Sequence, residues 1–166
     1  MKKTLAFLFT TTVIWGQVDY ASQIQTIFNN SCTSCHGNSG GLNLSSYSNL
    51  MSNNVIVAGD WNTAHHPIDL ARPKENVNTS GFMPIEREKL DEYVEEGWID
   101  TFRLFHDEPD RYSWWSYRMG ARARNVGWRI DYFFVNSDLA ELCKDAEIHQ
   151  DVMGSDHCPV SLSLDL

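Results

Sequence analysis

Five polar residues beside apolar, strand-like runs are the candidates for chemistry in this sequence. They are Asp60, Asn62, Asp131, Asp156 and His157. A carboxylate binds a metal or takes a proton, an asparagine offers a neutral donor and acceptor, and a histidine exchanges protons near neutral pH. Taken alone, the Asp–Asn and Asp–His pairs are more often parts of turns than of catalytic sites.

Two predicted strands position three of these residues. The β-branched run at 55–57 predicts a buried strand that delivers Asp60 and Asn62 to the edge of a sheet. The run at 128–135 is strongly β-prone, and the charge of Asp131 within it is costly to bury unless a metal or hydrogen bonds satisfy it. Further strands are predicted at 112–117, 144–149 and 160–166.

A helix is predicted between these strands, from Pro84 to a C-terminal cap at Gly97. Met83 occupies the position where a capping Ser or Thr is preferred, which makes the helix start about 1 kcal/mol poorer than it could be. The segment 98–105 predicts a short strand or turn, and Ser137 predicts the cap of a short helix that ends near residue 142.

Composition limits the class of protein and divides the chain. The 166 residues are 42% hydrophobic, enough for one core, and the net charge of −9 argues against a basic protein that coats nucleic acid. Residues 1–54 contain few charges, whereas acidic residues and arginines are abundant from residue 55 onward. Within that second part, a positive strip of arginines interleaved with aromatic residues suits binding to a nucleic-acid backbone. The alternative is a solvated loop that merely happens to be basic. The arginines of the strip are Arg111, Arg118, Arg122, Arg124 and Arg129.

Residues 1–17 have the layout of a secretory signal peptide. Lys2 and Lys3 precede an apolar run at 5–15, and the small residue Gly16 follows. The alternative is a buried N-terminal helix. The run is too short to span a membrane. Cleavage of the signal peptide would release a mature chain that begins around Val18.

Residues 18–54 contain the haem-attachment pattern of c-type cytochromes. Cys32 and Cys35 would form thioethers with a haem, and His36 would supply the proximal imidazole. A zinc half-site or a redox thiol pair are the alternatives. This segment is similar to the start of a small bacterial cytochrome c, but it is too short to enclose a haem, so we interpret it as a truncated cytochrome c-like segment.

Residues 55–166 resemble the C-terminal half of the exonuclease III and abasic-site endonuclease family, within the endonuclease/exonuclease/phosphatase superfamily. The matching motifs occur in the family's order: GDWN at 59–62, SGFMPIER at 80–87, DTFR at 100–103, YSWWSYR at 112–118, NVGWRIDYF at 125–133 and GSDHCPV at 154–160. The resemblance implies an α/β chain, one half of a four-layer α/β sandwich, preceded by a mainly helical or disordered N-terminal segment.

The same resemblance implies roles for individual residues. Asp60 would orient or deprotonate the attacking water or protonate the leaving oxygen, and Asn62 would hold Asp60 and the phosphate. Asp131 would position His157, His157 would contact the phosphate oxygen that gains charge, and Asp156 would bind Mg²⁺ or Mn²⁺. A pocket for a flipped-out abasic sugar and further DNA contacts would be formed by Trp114, Trp128, Ile130, Asn76, Asn78 and Arg122.

The implied reaction is metal-dependent incision of double-stranded DNA 5′ to abasic sites, with 3′-exonuclease and 3′-phosphatase activities. No stable protein partner is implied. The family's first half supplies an asparagine, a glutamate and a tyrosine to the site, and residues 1–54 contain no glutamate. We therefore expect little or no nuclease activity from this polypeptide alone, and a fold at risk of instability.

Two further interpretations stay open at this point. One is an exported haem electron carrier, supported by the haem-attachment motif. The other is a joined or misassembled gene product with neither function. The expected location conflicts accordingly, because the signal peptide predicts export to the periplasm and the nuclease-like part predicts the cytoplasm.

Overall fold

The structure, a computed structural model, describes residues 20–36, 43–51 and 54–165. The chain divides into two compact units, Met1–Asn53 and Asn54–Leu166. The predicted signal peptide at 1–17 lies outside the described residues, so it stays a prediction, as does the division into three segments.

The first unit is helical in its described part. A π-helical turn at Tyr20–Ile24 leads into α1 (Gln25–Ser31), which is followed by α2 (Thr33–His36) and α3 (Tyr47–Met51). The side chain of Gln25 donates to the backbone oxygen of Leu44 at 2.8 Å, and Leu44 is buried.

The second unit contains a three-stranded antiparallel sheet. Its strands are β1 (Ile56–Asp60), β2 (Trp98–Asp100) and β3 (Asp131–Asn136), in the order β1-β3-β2. β1 lies at the edge of this sheet, and Ile56 is 43% exposed. The predicted strand at 55–57 is therefore present, but its predicted burial is wrong, because an edge strand has one neighbour in its sheet.

A second, two-stranded antiparallel sheet follows along the chain. It consists of β4 (Cys143–Ile148) and β5 (Val160–Leu164), close to the predicted runs. The predicted strand at 112–117 is wrong, since this aromatic stretch is irregular and forms only isolated bridges through Trp114. The segment after β2 is helical, and the short helix near 137 has Asn136 rather than Ser137 at its N-cap position.

The remaining helices are short, apart from one of twelve residues. They are α4 (Pro73–Asn76), α5 (Pro84–Glu95), α6 (Thr101–Phe105) and α7 (Ser137–Ala140). Single 3-10 turns lie at Pro67–Asp69, Arg118–Gly120 and Arg122–Arg124. Within the described ranges, no helix combines the length and the apolar character that crossing a membrane requires.

The predicted helix at 84–97 is confirmed as α5, which packs on the sheet through aromatic rings. The Tyr93 ring lies 5.0 Å from Trp98 and 5.1 Å from Phe134, centroid to centroid. The expected weakness at Met83 is offset, because the Glu86 carboxylate accepts the backbone N–H of Met83 at 2.9 Å and that of Gly81 at 2.7 Å.

A buried ion cluster links the end of β2, the residues just before β3 and the turn at Pro67–Asp69. Arg129 is fully buried, and its guanidinium donates twice to the Asp100 carboxylate, at 2.6 and 3.1 Å, and once to Asp69 at 2.8 Å. Arg103 also donates to Asp69. Burial alone would raise the pKa of Asp69, but the charges and hydrogen bonds of Arg129 and then Arg103 lower that pKa to about 2.

The predicted positive strip is thereby reduced on the surface. Arg129 is internal, and Arg111 pairs with Glu108 at 2.9 Å and with Glu147 at 2.7 Å. A run of like charges in sequence does not show which of its members find buried partners elsewhere in the chain.

Replacement of Arg129 by glutamine is expected to lower the free energy of unfolding by about 3–5 kcal/mol, because it leaves the largely buried Asp100 carboxylate without its cation and Asp69 with Arg103 alone. Denaturant-induced unfolding followed by tryptophan fluorescence measures this change. Arg124→Gln is the matched control, since Arg124 is exposed. Equal unfolding midpoints for the two variants would contradict a structural role for the cluster.

Candidate functional site

The antiparallel register brings two of the predicted carboxylates together. Asp60 is the last residue of β1 and Asp131 is the first residue of β3, and they are direct partners across the two strands. These polar residues therefore gather at one end of an antiparallel strand pair.

His157 lies between these two carboxylates. Its Nδ1 is 2.9 Å from an Asp131 oxygen, and its Nε2 is 4.0 Å from an Asp60 oxygen. Because a carboxylate can only accept, the short contact places a proton on Nδ1 and leaves Nε2 facing Asp60. Asp131 is largely covered, with a side-chain exposure of 15%, so the hydrogen bond to His157 offsets part of the cost of its burial.

Asp156 is held by an indole. Trp114 Nε1 donates to the Asp156 carboxylate at 3.1 Å, and Ser155 lies 3.2 Å from the second oxygen. The hydrogen bond from Trp114 is the main cause of a lowered pKa for Asp156. Asp156 is therefore ionised at neutral pH, as a cation ligand must be.

Ser113 is a positioning residue that sequence reasoning missed. It is fully buried, and its hydroxyl oxygen accepts the backbone N–H groups of Ile130 and Asp131, both at 3.1 Å. Its carbonyl accepts the N–H of Cys158 at 2.8 Å. Ser113 thus ties the start of β3 to the loop that carries His157, and nothing in the sequence marks a serine among aromatics for this task.

The three residues predicted to form an abasic pocket belong to one apolar cluster. Ile130 is buried together with Ala64, Leu70 and Phe82, and Trp114 and Trp128 pack against this group. The backbones of the two tryptophans exchange hydrogen bonds of 2.9 Å. Their role as a pocket stays a prediction.

The backbone of Asn62 is held by a close approach to Gly81. Its backbone is left-handed, with φ of 52°, and its N–H donates to the Asp60 carboxylate at 2.8 Å. Gly81 has φ of 93°, and a Cβ at that position would lie 2.8 Å from the Asn62 carbonyl oxygen and 3.1 Å from the Trp128 ring. Glycine is the residue that suits both constraints.

The remaining predicted DNA contacts are Asn76, Asn78 and Arg122. Asn78 is exposed, and Asn76 donates to the carbonyl of Arg72 at 3.0 Å. Arg122 stacks on Trp115 and donates to three carbonyls of the 150–155 loop, at 2.6 to 2.9 Å. Arg122 therefore supports the loop that precedes Asp156, and its contact with DNA stays a prediction.

The structure describes only part of the haem-attachment motif. Cys32 follows α1 and carries a free thiol, and residues 33–36 form α2. The side chains of the second cysteine and of the histidine lie outside the described part, so the haem interpretation stays a prediction.

Two groups of three ligand-type side chains lie elsewhere in the described part of the chain. One consists of His65, His66 and Asp91, and the other of His106, Asp145 and Glu147. Within the described ranges, no such group includes Asp60, Asp131 or Asp156.

Comparison with known families agrees with this arrangement of helices and sheets. The model of the Endonuclease/Exonuclease/phosphatase family matches residues 35–157. The chain therefore belongs to this family, whose α/β fold confirms the predicted fold class. The match begins upstream of residue 55, inside the segment that also carries the haem-attachment motif.

Curated relatives and solved structures give the same family. The chain is 54% identical over 113 residues to an exodeoxyribonuclease of Bacillus subtilis, covering 68% of this chain and 45% of that protein. It is 46% identical to the DNA repair nuclease APEX1 of Danio rerio, covering 66% of this chain and 36% of that protein. An AP endonuclease from Archaeoglobus fulgidus superposes with a TM-score of 0.65 at 30% identity, covering 70% of this chain and 47% of the other.

A 3′ phosphatase from Neisseria, bound to a product DNA hairpin, superposes with a TM-score of 0.67 at 25% identity, over 72% of this chain and 48% of that one. The chain thus spans less than half the length of these relatives.

Replacement of Gly81 by alanine is expected to destabilise the second unit, by about 1–3 kcal/mol for the backbone strain and more for the contact with Asn62. Gly97→Ala is the matched control, because Gly97 has a similar φ of 99° but open space around its Cβ. Urea unfolding of both variants isolates the contribution of the close approach. Equal losses would contradict the conclusion that this contact holds Asn62.

Proposed function

We propose that the second unit carries out hydrolysis of DNA phosphodiester bonds, on the 5′ side of abasic sites, with 3′-exonuclease activity. The observation that carries this proposal is His157, held by Asp131 at Nδ1 and turned toward Asp60 at Nε2. Relatives that are named exodeoxyribonuclease and AP endonuclease support the same reaction class.

His157 is proposed to act on the substrate phosphate. With its Nδ1 proton committed to Asp131, the imidazole presents Nε2, and when protonated it donates to a phosphate oxygen that gains charge in the transition state. Asp131 would stabilise the charged imidazole and fix its orientation, as a carboxylate does behind a catalytic histidine.

Asp60 is proposed to handle the attacking water or the leaving oxygen. Its side chain is about one-third exposed, so a water molecule reaches it, and it lies on the side of His157 that faces away from Asp131. The backbone N–H of Asn62 fixes one Asp60 oxygen, which leaves the other for proton transfer, and the Asn62 side chain would hold the phosphate.

The residues present fit a weakly held magnesium ion. Asp156 offers an ionised carboxylate, and Mg²⁺ is typically held by one or two carboxylates together with substrate phosphates. A bound Mg²⁺ would neutralise charge on the phosphate. Since no group of three ligands in the described ranges includes Asp156, we propose weak metal binding and slow turnover for this chain by itself.

The apolar cluster is proposed to select the abasic site. Trp114, Trp128 and Ile130 offer a surface for a flipped-out deoxyribose, which carries no base to stack or hydrogen-bond. Double-stranded DNA with abasic sites is the proposed substrate. The cytoplasm is the proposed location if the nuclease functions, and the periplasm if residues 1–17 direct export.

Incision of a duplex with one abasic site, under single turnover with the chain in excess, tests the function. We expect slow incision that EDTA abolishes and that Asp60→Asn or His157→Gln reduces by about 10²-fold or more, the usual contribution of a general acid or base. Asp151→Asn is the control, because Asp151 is an exposed neighbour in the loop before the site.

Two results would contradict these proposals. A folded chain that leaves the abasic duplex intact at every concentration would exclude the nuclease function. Rapid multiple turnover, abolished by Asp60→Asn, would exclude the weak metal binding proposed here.

The cysteine motif at 32–36 supports a second candidate function, an exported c-type haem protein that transfers electrons. Expression in a haem-attaching host, followed by haem staining and an absorption spectrum, tests it. Under this hypothesis the chain stains for haem and Cys32→Ser reduces the staining. Absence of covalent haem from the exported chain would exclude it.

A further inference from the structure

Two histidines and an aspartate form a cluster apart from the site described above. His65 and His66 follow Asn62 by a few residues, and Asp91 lies on α5. One ligand atom from each of the three side chains lies within 4.8 Å of the others. The His65 Nε2 is already 2.7 Å from an Asp91 oxygen.

We propose that His65, His66 and Asp91 bind a zinc-type divalent transition-metal ion. Two imidazole nitrogens and one carboxylate oxygen are a ligand set that suits Zn²⁺, with a fourth position left for water. Ligand atoms around a tetrahedral zinc are about 3.3 Å apart, given bonds of about 2.0–2.1 Å. To reach this geometry the His65–Asp91 pair opens from 2.7 Å, which gives up its direct contact, and the other ligand atoms, within 4.8 Å of one another, close to the same spacing.

The cluster combines a fixed ligand with two adjustable ones. His65 is buried, and its backbone is anchored on both sides: its N–H bonds to the Tyr132 hydroxyl at 3.1 Å, and its carbonyl accepts from Arg87 at 2.7 Å. His66 and Asp91 are exposed, so their side chains have room to turn toward an ion, which replaces the contact that Asp91 now makes with His65. Such pre-organisation of one ligand lowers the ordering cost of binding.

Solvent access to the two histidines also favours a metal. The two imidazole rings stack at 3.7 Å. Both histidines line a cleft of about 500 Å³ that opens to solvent and gives an ion a way in.

The second three-residue group is a weaker candidate. The Nδ1 of His106 is engaged with Glu108 at 3.1 Å, its Nε2 with the Ala146 carbonyl at 2.8 Å, and Glu147 is paired with Arg111. An ion there would have to break an existing network. The proposed ion would instead link α5 to the segment between Asn62 and the turn at 67–69.

Zinc binding by the untagged full chain tests the proposal. Cys32→Ser and Cys35→Ser provide the background, because thiols also bind zinc. Affinity for Zn²⁺ is measured by competition with a chromogenic chelator, and the melting temperature is followed with and without Zn²⁺. We expect one equivalent of Zn²⁺ to bind and to raise the melting temperature, since a ligand of the native state stabilises it.

Two single variants remove one proposed ligand each. Loss of an outer-shell partner alone weakens metal binding by about 10–100-fold, so Asp91→Asn and His66→Gln are each expected to weaken it by about 100-fold or more. Glu92→Gln is the matched control, since Glu92 is the exposed neighbour of Asp91 on the same helix. Circular dichroism checks that all variants fold.

Other outcomes overturn the proposal. Unchanged zinc affinity in both ligand variants means that these residues do not bind the metal. Loss of affinity only in Glu147→Gln places the ion at the second group instead. Neither outcome depends on nuclease activity, so failure of this site is distinguishable from failure of the proposed function.

Discussion

The buried cation of Arg129 is the interaction on which the rest of the second unit depends. It lies between the carboxylates of Asp100 and Asp69, and the cation stacks 4.4 Å from the centre of the Tyr132 ring. Asp100 ends β2 and caps α6, while Asp69 closes the turn that follows the Asn62 segment. Because Arg129 is two residues before Asp131, these buried salt bridges also set the start of β3.

The second organising feature is the antiparallel register. Pairing of Asp60 with Asp131 places two acids side by side, and His157 bonds one of them and approaches the other. The irregular segment around Ser113 then connects β3 to the loop of His157. A small number of hydrogen bonds thus connects three parts of the chain that are distant in sequence. Most of these bonds have a backbone group as at least one partner.

The sequence predicted those elements whose formation depends on residues close together in the chain. The helix from Pro84 was predictable because proline, the acidic first turn and Gly97 act within a few residues. The motifs also indicated which polar residues would meet, although their chemical roles remain predictions. Burial was predicted less well: the β-branched residues of β1 suggested a core strand, but exposure depends on which strands lie beside it. Arg129 looked like a surface charge because its partner Asp69 lies 60 residues away in the chain.

Trp114 contributes to two properties at once. Its ring packs on the apolar cluster, and its indole N–H binds the Asp156 carboxylate. A substitution that reshapes the cluster at this position therefore also removes a hydrogen bond from a charged group. The shape of this apolar cluster and the charge beside it are therefore coupled, and any replacement of Trp114 must also provide a new donor for Asp156.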